Sequence, residues 1–105
     1  MNFEAELEKG KLFIPECKQC NKIVWPPSEF CNQCLKEVSW RTSSYKGKVI
    51  EFSKQNNDYF GIVEIENSIK IIGKISSGIP NIGQRVKIEK CGIKNGNYYF
   101  ELSLL

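Results

Sequence analysis

The sequence contains no histidine, and this absence limits the chemistry open to the chain. Histidine is the side chain that most often serves as a general base near neutral pH. The sequence also lacks a phosphate-binding Gly-x-Gly-x-x-Gly pattern or P-loop, and its serines have no evident base partner. We therefore predict a protein that is not itself an enzyme.

Long apolar runs are missing as well. No stretch approaches the roughly 18 apolar residues that a membrane-spanning helix requires. The opening segment, MNFEAELEKGK, is acidic and has no apolar signal core. Hydrophobic residues make up 41% of the chain and charged residues 26%, which is typical of a globular protein. We expect no membrane segment and a cytoplasmic location, where thiols stay reduced.

Cysteine is scarce, but four of the five cysteines form two Cys-x-x-Cys pairs. Cys17 and Cys20 are the first pair, and Cys31 and Cys34 follow after ten residues. Each tight turn aims two sulfurs at one point, and two such turns form a tetrahedral thiolate cage. This pattern predicts a structural Zn²⁺ site, with a redox iron site as the less favoured alternative. Four protein ligands leave no position for a catalytic water. Cys91 has no such partner and is expected to be a small buried thiol.

The first 40 residues predict a small metal-held module. The pattern favours a short amphipathic helix over about residues 2–9 and short strands at residues 12–14 and 23–25. Pro26 and Pro27 cannot donate to a sheet and predict an extended turn between the two cysteine pairs. We therefore expect a zinc ribbon domain at residues 1–40.

From residue 41 the pattern is that of a β protein. Alternating apolar residues predict five strands, at residues 48–52, 59–66, 69–75, 85–90 and 98–104. Turns are expected at Asn67-Ser68 and at Asn95-Gly96, while residues 76–83 form a loop too broken for a helix. Five strands without an intervening helix predict a small closed or half-closed barrel, and the order of ribbon then barrel favours an OB-fold over an SH3-like barrel. The predicted class is mainly β, with an OB-fold domain at residues 41–105. We identify no internal repeat.

Charge is unevenly distributed along the chain. Residues 1–40 carry five basic and six acidic side chains, whereas residues 41–105 carry ten and six. The resulting +4 on the second module suits a phosphate-bearing ligand but is equally typical of a solvated lysine-rich surface. Several aromatic residues are candidates either for stacking on a ligand ring or for packing between the modules: Trp25, Trp40, Tyr45, Tyr59 and Tyr99.

The order of helix, ribbon and barrel resembles small archaeal and bacterial proteins that pair a rubredoxin-like zinc ribbon with an OB-fold and are found beside thiolases. The segments that carry this resemblance are Gly10-Lys11-Leu12, Cys17-Lys18-Gln19-Cys20, Trp25-Pro26-Pro27, Cys31-Asn32-Gln33-Cys34, Tyr45-Lys46-Gly47-Lys48-Val49 and Ile82-Gly83-Gln84-Arg85-Val86. Asn21 stands where the family often has glycine, and asparagine tolerates the same left-handed backbone conformation.

The resemblance implies a non-catalytic scaffold subunit of a thiolase-type acyl-CoA enzyme complex. In archaea this is an assembly of acetoacetyl-CoA thiolase with HMG-CoA synthase in the mevalonate pathway, and the OB-fold borders the CoA-binding region. The partner-binding residues would be Phe3, Leu7, Trp25, Pro26 and Pro27, although Phe3 and Leu7 have the alternative of docking on the chain's own barrel. The face toward CoA phosphates would comprise Lys46, Lys48, Lys70, Lys74 and Arg85.

An alternative function uses the same basic face. Zinc ribbons and OB barrels both occur in proteins that bind single-stranded nucleic acid. That function calls for a strong basic stripe interleaved with exposed aromatic residues. The modest charge of the second module makes the acyl-CoA interpretation the preferred one.

Overall fold

The computed structural model describes residues 1–76 and 78–105; Ser77, within the predicted loop at 76–83, lies outside the described residues. These residues form one helix and seven strands: α1 (Phe3–Glu8), β1 (Phe13–Glu16), β2 (Ser39–Thr42), β3 (Lys46–Gln55), β4 (Asp58–Ile65), β5 (Ile69–Ile75), β6 (Arg85–Lys94) and β7 (Asn97–Leu104). The predicted mainly β class is confirmed.

The predicted N-terminal helix is present as α1. Asn2 caps it, because its side chain accepts a hydrogen bond of 3.0 Å from the backbone N–H of Ala5. Gly10 follows the helix at φ +83°, the left-handed conformation that commonly ends a helix. Phe3 and Leu7 lie one turn apart and form the buried face of α1.

The ribbon contains one small antiparallel sheet of β1 and β2. The strand predicted at residues 23–25 is absent from the described residues, where only Ile23 forms an isolated bridge to Glu16. The N–H of Val24 still donates to the carbonyl oxygen of Pro15 over 2.9 Å. Pro26 follows and has no N–H to continue the pairing, so a regular strand does not form.

The second module is a closed five-stranded barrel in the order β3-β4-β5-β7-β6, with β6 returning to β3. All pairs are antiparallel except β5 with β7. Closure is helped by register shifts in β3 and β6, as expected where a sheet must bend. The predicted five-stranded OB-fold barrel is confirmed. Asn95 and Gly96 both have positive φ, as their predicted hairpin turn requires.

One hydrophobic core joins α1 and β1 to the barrel. Leu12 and Ile14 of the ribbon belong to the same buried cluster as barrel residues such as Ile65 and Leu102. The proposed boundary at residue 40 stays a prediction, and this core crosses it. No helix in the described ranges is long and apolar enough to cross a membrane.

Candidate metal centre and adjoining surfaces

The fold brings the four predicted metal ligands together. The Sγ atoms of Cys17, Cys20, Cys31 and Cys34 all lie within 4.8 Å of one another. The separations are 3.1 Å between Cys17 and Cys34 and 3.7 Å between Cys20 and Cys31. Sulfurs about 2.3 Å from a tetrahedral zinc ion are about 3.8 Å apart, so this cluster fits a four-thiolate metal ion.

Two equivalent turns hold the four cysteines, and we call residues 16–24 the first knuckle and residues 30–38 the second knuckle. In each, the N–H of the first cysteine donates to the carbonyl oxygen five residues later, over 2.8 Å from Cys17 and 2.9 Å from Cys31. The residue after each second cysteine is left-handed, with φ +57° at Asn21 and +60° at Leu35. Residues 16–24 and 30–38 are therefore a local structural repeat, which was not predicted although Gln19 and Gln33, Lys22 and Lys36, and Val24 and Val38 repeat in the sequence together with the cysteines.

The knuckle backbone favours thiolates. The backbone N–H of Cys34 is the main cause that lowers the pKa of the Cys31 thiol to about 6. A hydrogen bond with Cys17 raises the pKa of Cys34 to about 11. Without a metal ion, some of the four thiols are therefore protonated. A bound cation attracts the thiolates and so releases these protons.

The centre is closed by its surroundings. Val24 and Val38 pack against the cysteines, and Lys22 Nζ donates to Gln33 Oε1 over 2.7 Å, which links the two knuckles. Four cysteines complete a tetrahedral shell, so the arrangement suits a structural metal rather than a catalytic one.

The second knuckle carries two exposed apolar side chains. Phe30 is 53% exposed and Leu35 is 76% exposed. The first knuckle has Glu16 and Asn21 at the equivalent positions. Leucine is disfavoured in the left-handed region, at a cost of about 1–2 kcal/mol, so neither folding nor solvation accounts for its presence there.

Because Asn21 occupies the equivalent left-handed position in the first knuckle, we expect Leu35→Asn to stabilise the metal-bound chain. Because asparagine tolerates positive φ, we expect the free energy of unfolding to rise by about 1 kcal/mol. Urea unfolding at fixed zinc concentration measures the change. Asn21→Leu is the matched control and should lower stability by a similar amount. A loss of stability in Leu35→Asn would contradict the proposed strain.

The predicted partner-binding residues occupy different environments. Phe3 and Leu7 are only 7% and 0% exposed and pack in the chain's own core, so their assignment to a partner groove is corrected. The reason is that α1 covers the barrel and buries its apolar face there. Trp25 is half-buried against Phe3, with ring centroids 5.8 Å apart. Pro26 is exposed and Pro27 half-buried, and their partner role stays a prediction.

The predicted basic face is divided. Lys46, Lys48 and Arg85 come together where β3 pairs with β6. Lys70 and Lys74 lie instead on β5, which pairs with neither of those strands. There, Lys70 is opposite Glu64, and Lys74 Nζ is 3.7 Å from the carboxylate of Asp58.

The pairing of β3 with β6, which we call the basic seam, includes a further cation, Lys87, that was not among the predicted residues. It lies directly opposite Lys46, and its alternation with Arg85 along β6 was the signal available in the sequence.

An ion pair ties the ribbon sheet to the barrel beside this seam. Arg41 of β2 donates from Nη1 to Glu66 over 2.7 Å, and the backbone N–H and hydroxyl of Ser44 donate to the same carboxylate over 3.0 and 2.8 Å. Burial alone would raise the pKa of Glu66, but the hydrogen bonds from Ser44 and Arg41 outweigh it and lower the pKa. The negative charge of Glu66 is thus balanced by Arg41 and by the hydrogen bonds from Ser44.

Cys91 is buried on β6, as predicted, and burial raises the pKa of its thiol. A buried protonated thiol is a poor nucleophile. Its position gives no support for catalysis.

Comparison with known proteins identifies the ribbon. Residues 5–38 match the family model described as "ChsH2, rubredoxin-like zinc ribbon domain". No curated protein sequence matches the chain.

Two solved structures have the same fold over nearly the whole chain. One is a chain described as "Ltp2-ChsH2(DUF35) aldolase", with a TM-score of 0.73 and 14% identity, covering 97% of this chain and 91% of that one. The other is a protein of unknown function from the DUF35 family of Sulfolobus solfataricus, with a TM-score of 0.69 and 14% identity, covering 98% and 82%. The resemblance to proteins with a rubredoxin-like ribbon and an OB-fold barrel is confirmed.

Proposed function

We propose that this chain is a non-catalytic subunit of a thiolase-type acyl-CoA enzyme complex. The observation that carries the proposal is the likeness to the Ltp2-ChsH2(DUF35) aldolase chain, which spans 97% of this chain and therefore includes ribbon and barrel together. The finer assignment, to an archaeal assembly of acetoacetyl-CoA thiolase with HMG-CoA synthase, rests on the sequence resemblance.

The chemistry of the chain supports a subunit that leaves catalysis to its partner. The metal centre has the donor set of a closed structural site, for which we propose Zn²⁺. The sequence offers no histidine, and the thiol outside the centre, Cys91, is buried. In this proposal the acyl transfer or carbon–carbon bond chemistry belongs to the thiolase-type enzyme.

The second knuckle is the surface that we propose to contact the enzyme. Phe30 and Leu35 are large, apolar and exposed, and Leu35 is held there at a conformational cost. Apolar anchors of this kind dominate protein interfaces when they fill a pocket on the partner. In this proposal Phe30 and Leu35 take the partner-binding role first assigned to Phe3 and Leu7, which are buried in the core.

Co-purification tests the proposal. Tagged chain expressed in its native host should recover a thiolase-type enzyme, identified by mass spectrometry and by its acyl-CoA activity in the eluate. The double variant Phe30→Ser, Leu35→Asn should recover at least roughly tenfold less, which corresponds to about 1.4 kcal/mol of binding free energy.

The control for this experiment is Ile79→Asn. Ile79 is an exposed isoleucine in the loop after β5, far along the chain from the knuckle, and its replacement should leave recovery unchanged. Recovery of no acyl-CoA enzyme by the wild-type chain would contradict the proposed function. Equal losses in all variants would contradict the role of the knuckle.

A second candidate function, single-stranded nucleic-acid binding, is favoured by one observation. Lys54 lies over the ring of Tyr59 at 5.7 Å and Lys94 over Tyr99 at 5.5 Å, close to the β3–β4 and β6–β7 hairpin turns. OB-folds that bind oligonucleotides use the corresponding loops. Steeply salt-dependent oligonucleotide binding would support this function over the acyl-CoA role.

A further inference from the structure

The outer face of β4 and β5 carries an apolar pair at its centre. Val63 and Ile71 are buried inside the barrel, so the residues that alternate with them along each strand face outward. Ile62 and Ile72 are two of these outward residues, and they lie directly opposite each other in the β4–β5 pairing. Ile72 is 67% exposed, although it lies in the middle of its strand rather than at a turn.

This pair belongs to a wider apolar surface. Ile62 and Ile72 line a hollow together with two aromatic side chains, Phe60 of β4 and Phe52 of β3. Ile72 is the most exposed of the four. Contiguous apolar side chains on an outer sheet face mark a surface that another surface covers, whereas single scattered ones do not. An exposed side chain beside a hollow also allows two identical faces to fill each other reciprocally.

Charges of opposite sign lie beside the apolar pair, one on each strand. Glu64 of β4 and Lys70 of β5 are directly opposite each other, at the next outward position along from Ile62 and Ile72. No ion pair formed by the described residues includes either of them. The face therefore presents an acidic strand and a basic strand on the two sides of one line, with the apolar pair next to them.

We propose that the outer face of β4 and β5 binds a second copy of this chain. A two-fold axis parallel to the strands and midway between β4 and β5 places each β4 over the β5 of the other copy. Ile62 then meets Ile72 of the second copy. Glu64 meets Lys70 of the second copy, and symmetry repeats both contacts. Two sheets that pack face to face keep their strands within about 30° of each other, so this aligned arrangement is an ordinary one.

Charge complementarity selects a second copy as the occupant. Each face carries both members of the ion pair, at the two positions that the two-fold axis brings together. Opposite charges at these positions favour this pairing of faces and its register. The inference goes beyond the proposed function and does not depend on it, because the enzyme contact is assigned to the second knuckle.

Sedimentation velocity of the untagged, zinc-loaded full chain tests this self-association. Between about 10 µM and about 1 mM, the wild-type chain should pass from monomer to dimer. Ile72→Asn should raise the dissociation constant at least about tenfold, because it buries an amide in an apolar contact. Ile82→Asn is the matched control. Ile82 is 64% exposed in the loop before β6, and its replacement should leave the dissociation constant within about twofold of wild type.

Charge reversal tests the two-fold geometry itself. Glu64→Lys alone sets lysine against lysine across the interface, and Lys70→Glu alone sets glutamate against glutamate. Each variant should therefore self-associate at least about tenfold more weakly than wild type. An equimolar mixture of the two variants should form heterodimers with about the affinity of wild type, because both contacts across the interface again join opposite charges. Heterodimer formation also shows that both variants fold, although each places like charges opposite each other within its own sheet.

The outcomes separate this inference from the proposed function. A wild-type chain that stays monomeric up to about 1 mM would overturn the inference even if the enzyme partner co-purifies. Equal weakening by Ile72→Asn and Ile82→Asn, or charge variants that do not associate when mixed, would also overturn it. A dimer that Ile72→Asn disrupts, in a chain that recovers no acyl-CoA enzyme, would support the inference and contradict only the proposed function.

Discussion

Cys31→Ser is expected to unfold the zinc ribbon and to lower the melting temperature of the whole chain. Cys31 is buried, and its Sγ is 3.7 Å from that of Cys20 within the four-sulfur cluster. Structural zinc contributes on the order of 10–16 kcal/mol in small zinc modules at neutral pH, and a ribbon of this size has too little core to fold without it. Serine does not supply the thiolate that completes the shell.

The ribbon does not unfold in isolation. Leu12 and Ile14 belong to the barrel's own core, so loss of the metal should also expose apolar surface of the barrel. Circular dichroism should therefore show a lower, broader transition in Cys31→Ser, and a strong chelator should produce the same change in wild-type protein.

Elemental analysis provides the accompanying measurement. We expect about one zinc per wild-type chain, the ratio for a single four-cysteine site. Cys91→Ser is the matched control, because it removes the thiol outside the cluster and should leave the metal content unchanged. Metal-free wild-type protein, or a Cys31→Ser melting curve identical to that of wild type, would disprove the metal centre.

The metal centre was predictable from the sequence because its determinants are local. A two-residue gap fixes both sulfurs of a knuckle through one backbone turn, and the hydrogen bonds from Cys17 and Cys31 close that turn. The barrel was predictable for a related reason. Alternation along β5 and the first half of β6, together with the Asn95-Gly96 turn, indicates which residues face inward without knowledge of distant contacts.

The surfaces were less predictable because they depend on how distant segments pair. Lys87 joins Lys46 only through the β3–β6 register, which the sequence does not display. Lys70 and Lys74 are basic residues of barrel strands, as Lys46 and Lys48 are. The strand order nevertheless places them on β5, away from the β3–β6 pairing. Charge counting therefore found a basic module but not the seam in which like charges are opposed.

The exposed second knuckle was missed for another reason. Phe30 and Leu35 adjoin metal ligands, where apolar residues are ordinarily expected to pack around the centre. Val24 and Val38 do so at equivalent positions of the two knuckles, whereas Phe30 and Leu35 point outward. The sequence alone does not show which of these apolar side chains are exposed in the fold.

Leu7→Ala is expected to destabilise the isolated chain by about 2–5 kcal/mol, the usual cost of truncating a fully buried leucine. Leu7 is fully buried in the cluster that joins α1 to the barrel. Urea unfolding of the purified protein, without any partner, measures the loss. Glu8→Ala is the control on the same helix, since Glu8 is exposed, and should change stability by less than about 0.5 kcal/mol.

The result decides between two roles for the helix. If α1 were a segment held ready for a partner groove, Leu7→Ala would leave the isolated protein as stable as wild type and would weaken only co-purification of the enzyme. If α1 is part of the core, stability falls first and any loss of partner follows from unfolding. The knuckle variants then remain the specific probe of the interface, because Phe30 and Leu35 are exposed and belong to neither of the buried clusters described here.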